Sequence, residues 1–302
     1  MPVKNLAASV RDRLLNQAKR TKRPFNELLQ YYAMERFLYR LAKSKYAAQF
    51  VLKGALMLRV WQSPESRPTM DVDLLGITSN DEDEITAQIR EILSTEVEPD
   101  GLHFDTSSVT AERIIEDADY QGLRIRFHGT LGSAKVNMQL DIGFGDVVFP
   151  EAVLSKYPTI LDFPAPELRC YSRESAIAEK FEAMVKLGEL NSRMKDFYDI
   201  WMLARQFEFD SINLAEAIRK TFTQRQTDVP VSVVALSEAF GQTKQVQWNA
   251  FRKRLGQDHV LIAFDDVLLV LRMFLEPVIA IIRSESNPSL IWAAGGPWRN
   301  TQ

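Results

Sequence analysis

A run of alternating apolar and polar residues at positions 135–145 constrains the fold of this chain more than any other feature. Its apolar side chains occupy every second position (Val136, Met138, Leu140 and Ile142), which is the period of a strand with one buried face. Residues 123–127 alternate in the same way, and Leu-Gly-Ser at 131–133 separates the two runs as a turn. The sequence therefore predicts an antiparallel hairpin in a β-sheet, with Asp141 on the polar face of its second strand.

A pair of carboxylates lies upstream, in the sequence Asp71-Val72-Asp73. Alternate side chains of a strand point to the same face, so we expect Asp71 and Asp73 to share one face. If the hairpin pairs beside this strand, Asp141 joins them. Three such carboxylates can hold a hard divalent cation against a triphosphate. The alternative is that the pair lies in a solvated turn and that Asp141 is merely a polar-face residue.

Two further segments carry groups that suit phosphate. Lys53 precedes Gly54, and a glycine turn can present backbone N–H groups to an anion. The sequence from Ala47 predicts a helix that runs into this glycine. Thr69, two residues before Asp71, offers a hydroxyl that can bind a phosphate or a metal-bound water, or can instead cap a turn.

Taken in order, these segments resemble the AbiEii/AbiGii-type nucleotidyltransferase toxins, a family that includes the MenT toxins. The likeness extends over most of the chain, at residues 50–58, 67–76, 139–146, 178–183, 195–200, 221–225 and 295–298. It implies an α+β fold in which a mixed-sheet, DNA polymerase β-like nucleotidyltransferase domain with N-terminal helices is followed by a mostly helical C-terminal domain. The expected domains are residues 1–165 and 166–302, the second contributing to the active-site cleft.

The resemblance also implies a reaction, namely transfer of a nucleoside monophosphate from an NTP to an RNA acceptor by a two-metal mechanism, with Mg²⁺ or Mn²⁺ as cofactor. The expected acceptor is the 3′ end of tRNA, whose blockage stops translation. The implied metal ligands are Asp71, Asp73 and Asp141, which are also catalytic together with Lys180. The implied nucleotide-binding residues are Lys53, Gly54, Ala55, Thr69, Lys180, Asp196 and Asp199. Ala55 departs from the family, because many nucleotidyltransferases have serine or glycine after the first glycine.

The biology implied by the resemblance is that of a bacterial abortive-infection toxin encoded beside a DNA-binding antitoxin. Two of the carried-over residues also have structural interpretations. Lys180 can be a surface lysine whose stem packs on apolar neighbours, and Asp196 can be a helix N-cap.

Composition favours a cytoplasmic enzyme. Cys170 is the only cysteine, which excludes an intrachain disulfide and a cysteine-rich zinc site. The N-terminus lacks the apolar stretch of a signal peptide. The most apolar helical segment, residues 260–282, carries too many charges to span a membrane.

Charge is distributed unevenly along the chain. Residues 1–59 contain thirteen Lys or Arg against three Asp or Glu, a local net charge of plus ten, whereas the whole chain has −3. Residues 71–120 are strongly acidic. A basic part beside an acidic metal site suits an enzyme that grips a polyanion. Solvation of helix surfaces explains the same cations equally well.

Two other classes of function remain open at this point. One is a non-catalytic module that binds GTP or another nucleotide; the complete set of three carboxylates argues against it. The other is a protein whose basic N-terminal part binds RNA or a partner, with incidental carboxylates. Binding by a protein of that second kind is expected to be independent of Mg²⁺.

Overall fold

The computed structural model describes residues 5–63, 67–116, 120–284 and 288–301. The chain forms two compact units. Unit 1 comprises Met1–Gly145 and Val153–Cys170, and unit 2 comprises Asp146–Ala152 and Tyr171–Gln302. The domain boundary at residue 165 stays a prediction. Residues 1–4 of the basic N-terminal part lie outside the described part.

Unit 1 begins with two helices. Helix α1 (Leu6–Thr21) is capped by Asn5, whose side chain accepts a hydrogen bond from the Ala8 N–H, and its last turn contains Lys19 and Arg20. Helix α2 (Phe25–Lys43) follows Pro24, and residues 28–41 are all buried. A helix buried on every side belongs to the interior of its unit, so α2 is the element around which unit 1 is built.

The seven strands of unit 1 that are described form one mixed sheet in the order β3-β4-β5-β2-β1-β7-β6. In chain order they are β1 (Phe50–Lys53), β2 (Val72–Gly76), β3 (Leu102–Glu116), β4 (Tyr120–Leu131), β5 (Ala134–Phe144), β6 (Val153–Lys156) and β7 (Glu167–Cys170). The short helix α3 (Met57–Val60) follows β1, and α4 (Glu82–Leu93) follows β2. The β2–β5 and β1–β7 pairs are parallel, and the others are antiparallel.

The predicted hairpin is confirmed as β4 and β5, and β5 pairs with β2 as the convergence of the carboxylates requires. The predicted helix from Ala47 to Gly54 is wrong. Only Ala47–Gln49 form a 3₁₀ turn, and the apolar run that follows is the interior strand β1. A strand buried on both faces has no alternation, so its sequence resembles that of a buried helix.

Unit 2 is mostly helical, as expected. Its helices are α5 (Arg173–Leu187), α6 (Met194–Gln206), α7 (Ser211–Gln224), α8 (Glu238–Leu255) and α9 (Phe264–Ser284). A small sheet, which the sequence did not predict, joins β8 (Phe209–Asp210), β9 (Leu290–Trp292) and β10 (Trp298–Asn300). Its indoles pack against α9, with Trp298 stacked on Phe274 at 5.7 Å between ring centroids. Within the described ranges, every helix is too short or too polar to cross a membrane.

Candidate active site

A row of charged residues crosses four strands of the unit 1 sheet. The strand register pairs Lys53 with Asp73, Asp73 with Asp141, and Asp141 with Arg124. Directly paired residues of neighbouring strands point to the same face of a sheet. The row therefore presents two adjacent carboxylates flanked by a cation on each side.

Asp71 completes a cluster of three carboxylates. It lies immediately before β2 rather than within it, so the expectation of a strand residue is wrong by one position. Nevertheless one carboxylate oxygen from each of Asp71, Asp73 and Asp141 lies within 4.8 Å of the others. Carboxylate oxygens are the ligands that Mg²⁺ and Mn²⁺ prefer, and carboxylates this close repel one another unless a cation intervenes. The donor set therefore fits a hard divalent cation.

Arg124 is a site residue that the motif analysis missed. Its Nε and Nη2 atoms donate to the two oxygens of Asp141, each at 2.8 Å. The hydrogen bond and charge of Asp141 raise the pKa of Arg124 above its ordinary value. Because each carboxylate oxygen has more than one acceptor position, this fork leaves Asp141 able to accept a further partner. The alternating position of Arg124 in β4 is visible in the sequence. Its pairing with Asp141 is known only from the register of the strands.

Gly54 packs directly against the carboxylate of Asp73. The residue has a φ of +70°, and a Cβ added there would lie 1.8 Å from Asp73 Oδ2. Only glycine combines this backbone conformation with such a close approach. The predicted glycine turn is thus present beside the carboxylates, between the buried Lys53 and the buried Ala55.

The segment before Asp71 is held by its own hydroxyl and by α2. The Thr69 hydroxyl donates to Asp71 Oδ1, so it contacts a carboxylate of the cluster. The backbone N–H of Thr69 donates to the Tyr31 hydroxyl at 3.1 Å. The Thr69 hydroxyl thus orients Asp71, and its contact with a phosphate or a metal-bound water stays a prediction.

The remaining predicted residues form a separate cluster in unit 2. Lys180 on α5 lies 3.2 Å from Asp199 and 3.6 Å from Asp196, both on α6. Arg193 lies 2.6 Å from the other oxygen of Asp196. Asp196 is not the N-cap of α6, because Arg193 holds that position. The two carboxylates are buried, and their ion pairs with Lys180 hold its ammonium group in place.

A second buried ionic cluster in unit 2 centres on Arg225, which the candidate set did not include. Its guanidinium group lies 2.9 Å from Asp146 and 2.9 Å from Glu182, with Glu179 at 4.0 Å. Burial by itself lowers the pKa of Arg225, but the charges of Glu179 and Asp146 and the hydrogen bonds that Arg225 donates to Glu182 and Asp146 outweigh it and raise that pKa. Asp146 and Arg225 both lie in segments that carry the family resemblance.

The chain matches one family model and is similar to solved structures of other proteins. The family of the AbiEii nucleotidyl transferase toxin, type IV toxin–antitoxin system, matches residues 36–270. No curated protein matches. A solved structure from H. pylori, described as that of a candidate nucleotidyltransferase, is 14% identical, covers 86% of this chain and 97% of its own, and has a TM-score of 0.46. The structure of JHP933 from Helicobacter pylori is 14% identical, with coverage of 86% and 92% and a TM-score of 0.45.

Proposed function

This chain belongs to the AbiEii family of nucleotidyl transferase toxins, and we propose on that premise that it transfers a nucleoside monophosphate from an NTP to an RNA acceptor. The family is that of a type IV toxin–antitoxin system and implies an antitoxin partner and a nucleotide substrate. The acceptor that the resemblance suggests is the 3′ end of tRNA.

One observation carries the proposal, namely the convergence of Asp71, Asp73 and Asp141 with their oxygens within 4.8 Å of one another. A bound Mg²⁺ or Mn²⁺ supplies Lewis-acid stabilisation of charge on the reacting phosphate. In our assignment, which follows two-metal chemistry, Asp71 and Asp73 would hold divalent cations against the triphosphate. Asp141, oriented by the Arg124 fork, would complete the second metal site and help to activate the attacking hydroxyl.

The proposed reaction forms one P–O bond and breaks another. The acceptor hydroxyl oxygen bonds to the α-phosphorus, the bond from that phosphorus to the oxygen bridging to the β-phosphate breaks, and pyrophosphate leaves. The hydroxyl proton passes to solvent. Lys53 and the backbone at Gly54 and Ala55 steady the phosphates, since cations and N–H groups stabilise developing negative charge. Thr69 acts through Asp71.

Lys180, Asp196 and Asp199 are assigned to the nucleotide on the family resemblance. Their geometry supports a positioned cation, because two buried carboxylates hold the lysine ammonium group within unit 2. A lysine so held offers a point charge for a phosphate.

The RNA acceptor is proposed to contact α1. Four exposed cations, Arg11, Lys19, Arg20 and Lys22, lie on this helix or at its C-terminal end, with Asp12 as the acidic residue among them. Phosphate contacts by exposed cations supply most non-specific affinity for nucleic acid. The antitoxin is proposed to be a DNA-binding protein encoded nearby, and the compartment the bacterial cytoplasm.

A non-catalytic GTP-binding module is the second candidate, and the Arg124 fork is the observation that favours it. The fork engages both oxygens of Asp141, which is also the geometry of a purely structural ion pair. Such a module binds nucleotide without releasing pyrophosphate.

The test is pyrophosphate release from each NTP in the presence of Mg²⁺ and total RNA. We expect Asp71→Ala and Asp73→Ala to reduce release to background while the melting temperature stays close to that of the wild type, because substitutions at partly exposed sites usually change stability by within about 0.5 kcal/mol. Asp83→Ala, at an exposed carboxylate on α4, is the matched control and should retain full activity. Wild-type nucleotide binding without pyrophosphate release would favour the binding module, and full activity in Asp71→Ala would refute the metal assignment.

A further inference from the structure

Asp71 differs from the other two carboxylates in how its position is fixed. Asp73 and Asp141 lie within paired strands and face each other in register, so the sheet itself places them. Asp71 precedes the first paired residue of β2, Val72, and follows Met70, which is 57% exposed. The ladder of hydrogen bonds does not reach Asp71, and other contacts must place it.

Gln30 on α2 supplies the first of these contacts. Its Nε2 atom donates to the carbonyl oxygens of Met70 and Asn137, each at 3.0 Å. Both partners are carbonyl groups, which only accept hydrogen bonds, so the amide nitrogen must face them. Met70 directly precedes Asp71, and Asn137 lies on β5 ahead of Asp141. The pairing of β2 with β5 starts at Val72 and Leu140. The Gln30 amide therefore links the two segments that precede these residues, where the strands are not yet paired with each other.

Tyr31, the next residue of α2, supplies the second contact. Its hydroxyl accepts the Thr69 N–H at 3.1 Å, and the Thr69 hydroxyl in turn donates to Asp71. Arg23 and Arg59 lie over the Tyr31 ring at 5.0 and 5.1 Å from its centroid, which restricts the ring. Both Gln30 and Tyr31 are buried, so water does not compete strongly for these hydrogen bonds.

We propose that Gln30 and Tyr31 are positioning residues that hold the Thr69–Met70 segment so that Asp71 can bind a divalent cation together with Asp73 and Asp141. This inference rests on the metal site of the proposed function, which it deepens by naming what holds one ligand in place. Groups that orient metal ligands typically change metal affinity when they are lost, although they never touch the ion.

Tyr32 offers a matched control, because it adjoins the other two residues but contacts a different part of unit 1. Its hydroxyl donates to the Asp100 carbonyl at 2.7 Å. Tyr32→Phe and Tyr31→Phe each remove one buried hydrogen bond of α2, whereas Gln30→Met keeps the length of the side chain and removes both donors. A purely structural role predicts that all three variants behave alike.

The experiment measures Mn²⁺ binding to the full chain without nucleotide, by the loss of the free-ion electron paramagnetic resonance signal, alongside the melting temperature. We expect Gln30→Met and Tyr31→Phe to raise the Mn²⁺ dissociation constant about tenfold, and Tyr32→Phe to leave it unchanged despite a similar fall in melting temperature. If Gln30→Met does not fold, Tyr31→Phe against Tyr32→Phe decides the matter.

Wild-type Mn²⁺ affinity in Tyr31→Phe, an equal loss in Tyr32→Phe, or no Mn²⁺ binding by the wild type would each overturn the inference. These results are separable from failure of the proposed function, which the pyrophosphate assay measures. A protein that binds Mn²⁺ through Gln30 and Tyr31 but releases no pyrophosphate upholds the inference and refutes the transferase.

Discussion

At the scale of single residues, the site depends on a glycine as much as on its carboxylates. Gly54 has a φ of +70° and leaves no room for a Cβ beside Asp73 Oδ2. Gly256 has a similar φ of +65°, but a Cβ there would meet nothing within 4 Å. The two positions therefore separate the cost of the backbone conformation from the cost of the collision.

We predict that Gly256→Ala lowers the free energy of unfolding by roughly 1–2 kcal/mol, the cost of a left-handed conformation with a Cβ. Gly54→Ala should lower it further, because the new Cβ also collides with the Asp73 side chain. Only Gly54→Ala should also weaken Mn²⁺ binding, because Asp73 must move. Thermal unfolding and Mn²⁺ titration of the two variants are the measurements. Unchanged Mn²⁺ affinity in Gly54→Ala would show that Asp73 accommodates the methyl group without leaving the cluster.

The site residues that could be predicted are those placed by a local sequence pattern. The alternation of β5 and the spacing of Asp71 and Asp73 placed the three carboxylates on polar faces, and pairing of β5 with β2 then brings them together. Arg124, Gln30 and Tyr31 act through contacts with residues distant in sequence. No local pattern distinguishes them from other polar residues of a strand or a helix.

At the scale of elements, α2 connects several parts of unit 1. Near its middle, Glu35 accepts the Ile160 N–H at 2.7 Å, and Arg36 donates to the Pro164 carbonyl at 2.8 Å. Further along, Arg40 forms a bidentate pair with Asp100, with its Nη1 2.7 Å from Oδ2. The buried stretch of α2 thus makes polar contacts as well as apolar ones. Its polar contacts hold the loops that contain Asp100, Ile160 and Pro164.

Glu35 gives α2 a pH dependence. Burial raises the pKa of Glu35 from 4.5 to about 7, although Arg36 and the Ile160 N–H act in the opposite direction. The folded protein therefore binds a proton that the unfolded chain has released, so stability falls as pH rises from about 4.5 to 7. We predict a smaller fall in melting temperature between pH 5 and pH 8 for Glu35→Gln, which cannot ionise, than for the wild type. Identical pH profiles for the two proteins would contradict the raised pKa.

The basic helix α1 gives a second prediction at this scale. Replacing Arg11, Lys19, Arg20 and Lys22 together by Gln should weaken RNA binding and lower the slope of log affinity against log salt by up to about 3, if each cation contacts one phosphate of a single strand. NTP binding should change little, because screening limits exposed charges to about 10 Å at 0.1 M salt.

Salt series of RNA affinity for the wild type and this variant are the measurement. A second variant with Gln at four exposed cations of unit 2, Arg205, Lys220, Lys253 and Arg254, is the control and should keep the wild-type slope. If the α1 variant keeps it too, the cations of α1 only solvate the helix, and the RNA site must be sought around Lys180, Lys186, Arg193 and Lys195.

Elements were predictable where a single face is buried. The hairpin of β4 and β5 carries a clear period and is confirmed, and the mostly helical second part that the family resemblance implied is confirmed as well. Strand β1 has no alternation of apolar and polar residues, because all four of its residues are buried. The strands of the small sheet are two or three residues long, too short to show any period.

At the scale of the whole molecule, the distribution of charge along the chain indicates candidate binding surfaces, whereas the net charge does not. The chain has a net charge of −3, yet one helix of unit 1 exposes a cluster of cations and the same unit gathers three carboxylates. The division of the chain into units was less predictable. Residues 146–152 belong to unit 2 although residues on both sides belong to unit 1. The ion pair of Asp146 with Arg225 holds this segment in unit 2, and it joins residues far apart in sequence.

The most direct test of the central claim is to incubate the purified protein with each α-³²P-labelled NTP in turn, Mg²⁺ and total RNA, and to resolve the RNA on a gel. We predict that at least one NTP labels a discrete RNA species, and that the label disappears with EDTA and in Asp73→Ala but persists in Asp83→Ala. Label on an RNA of tRNA size would support the proposed acceptor. No labelled RNA with any NTP, or undiminished labelling by Asp73→Ala, would contradict the account.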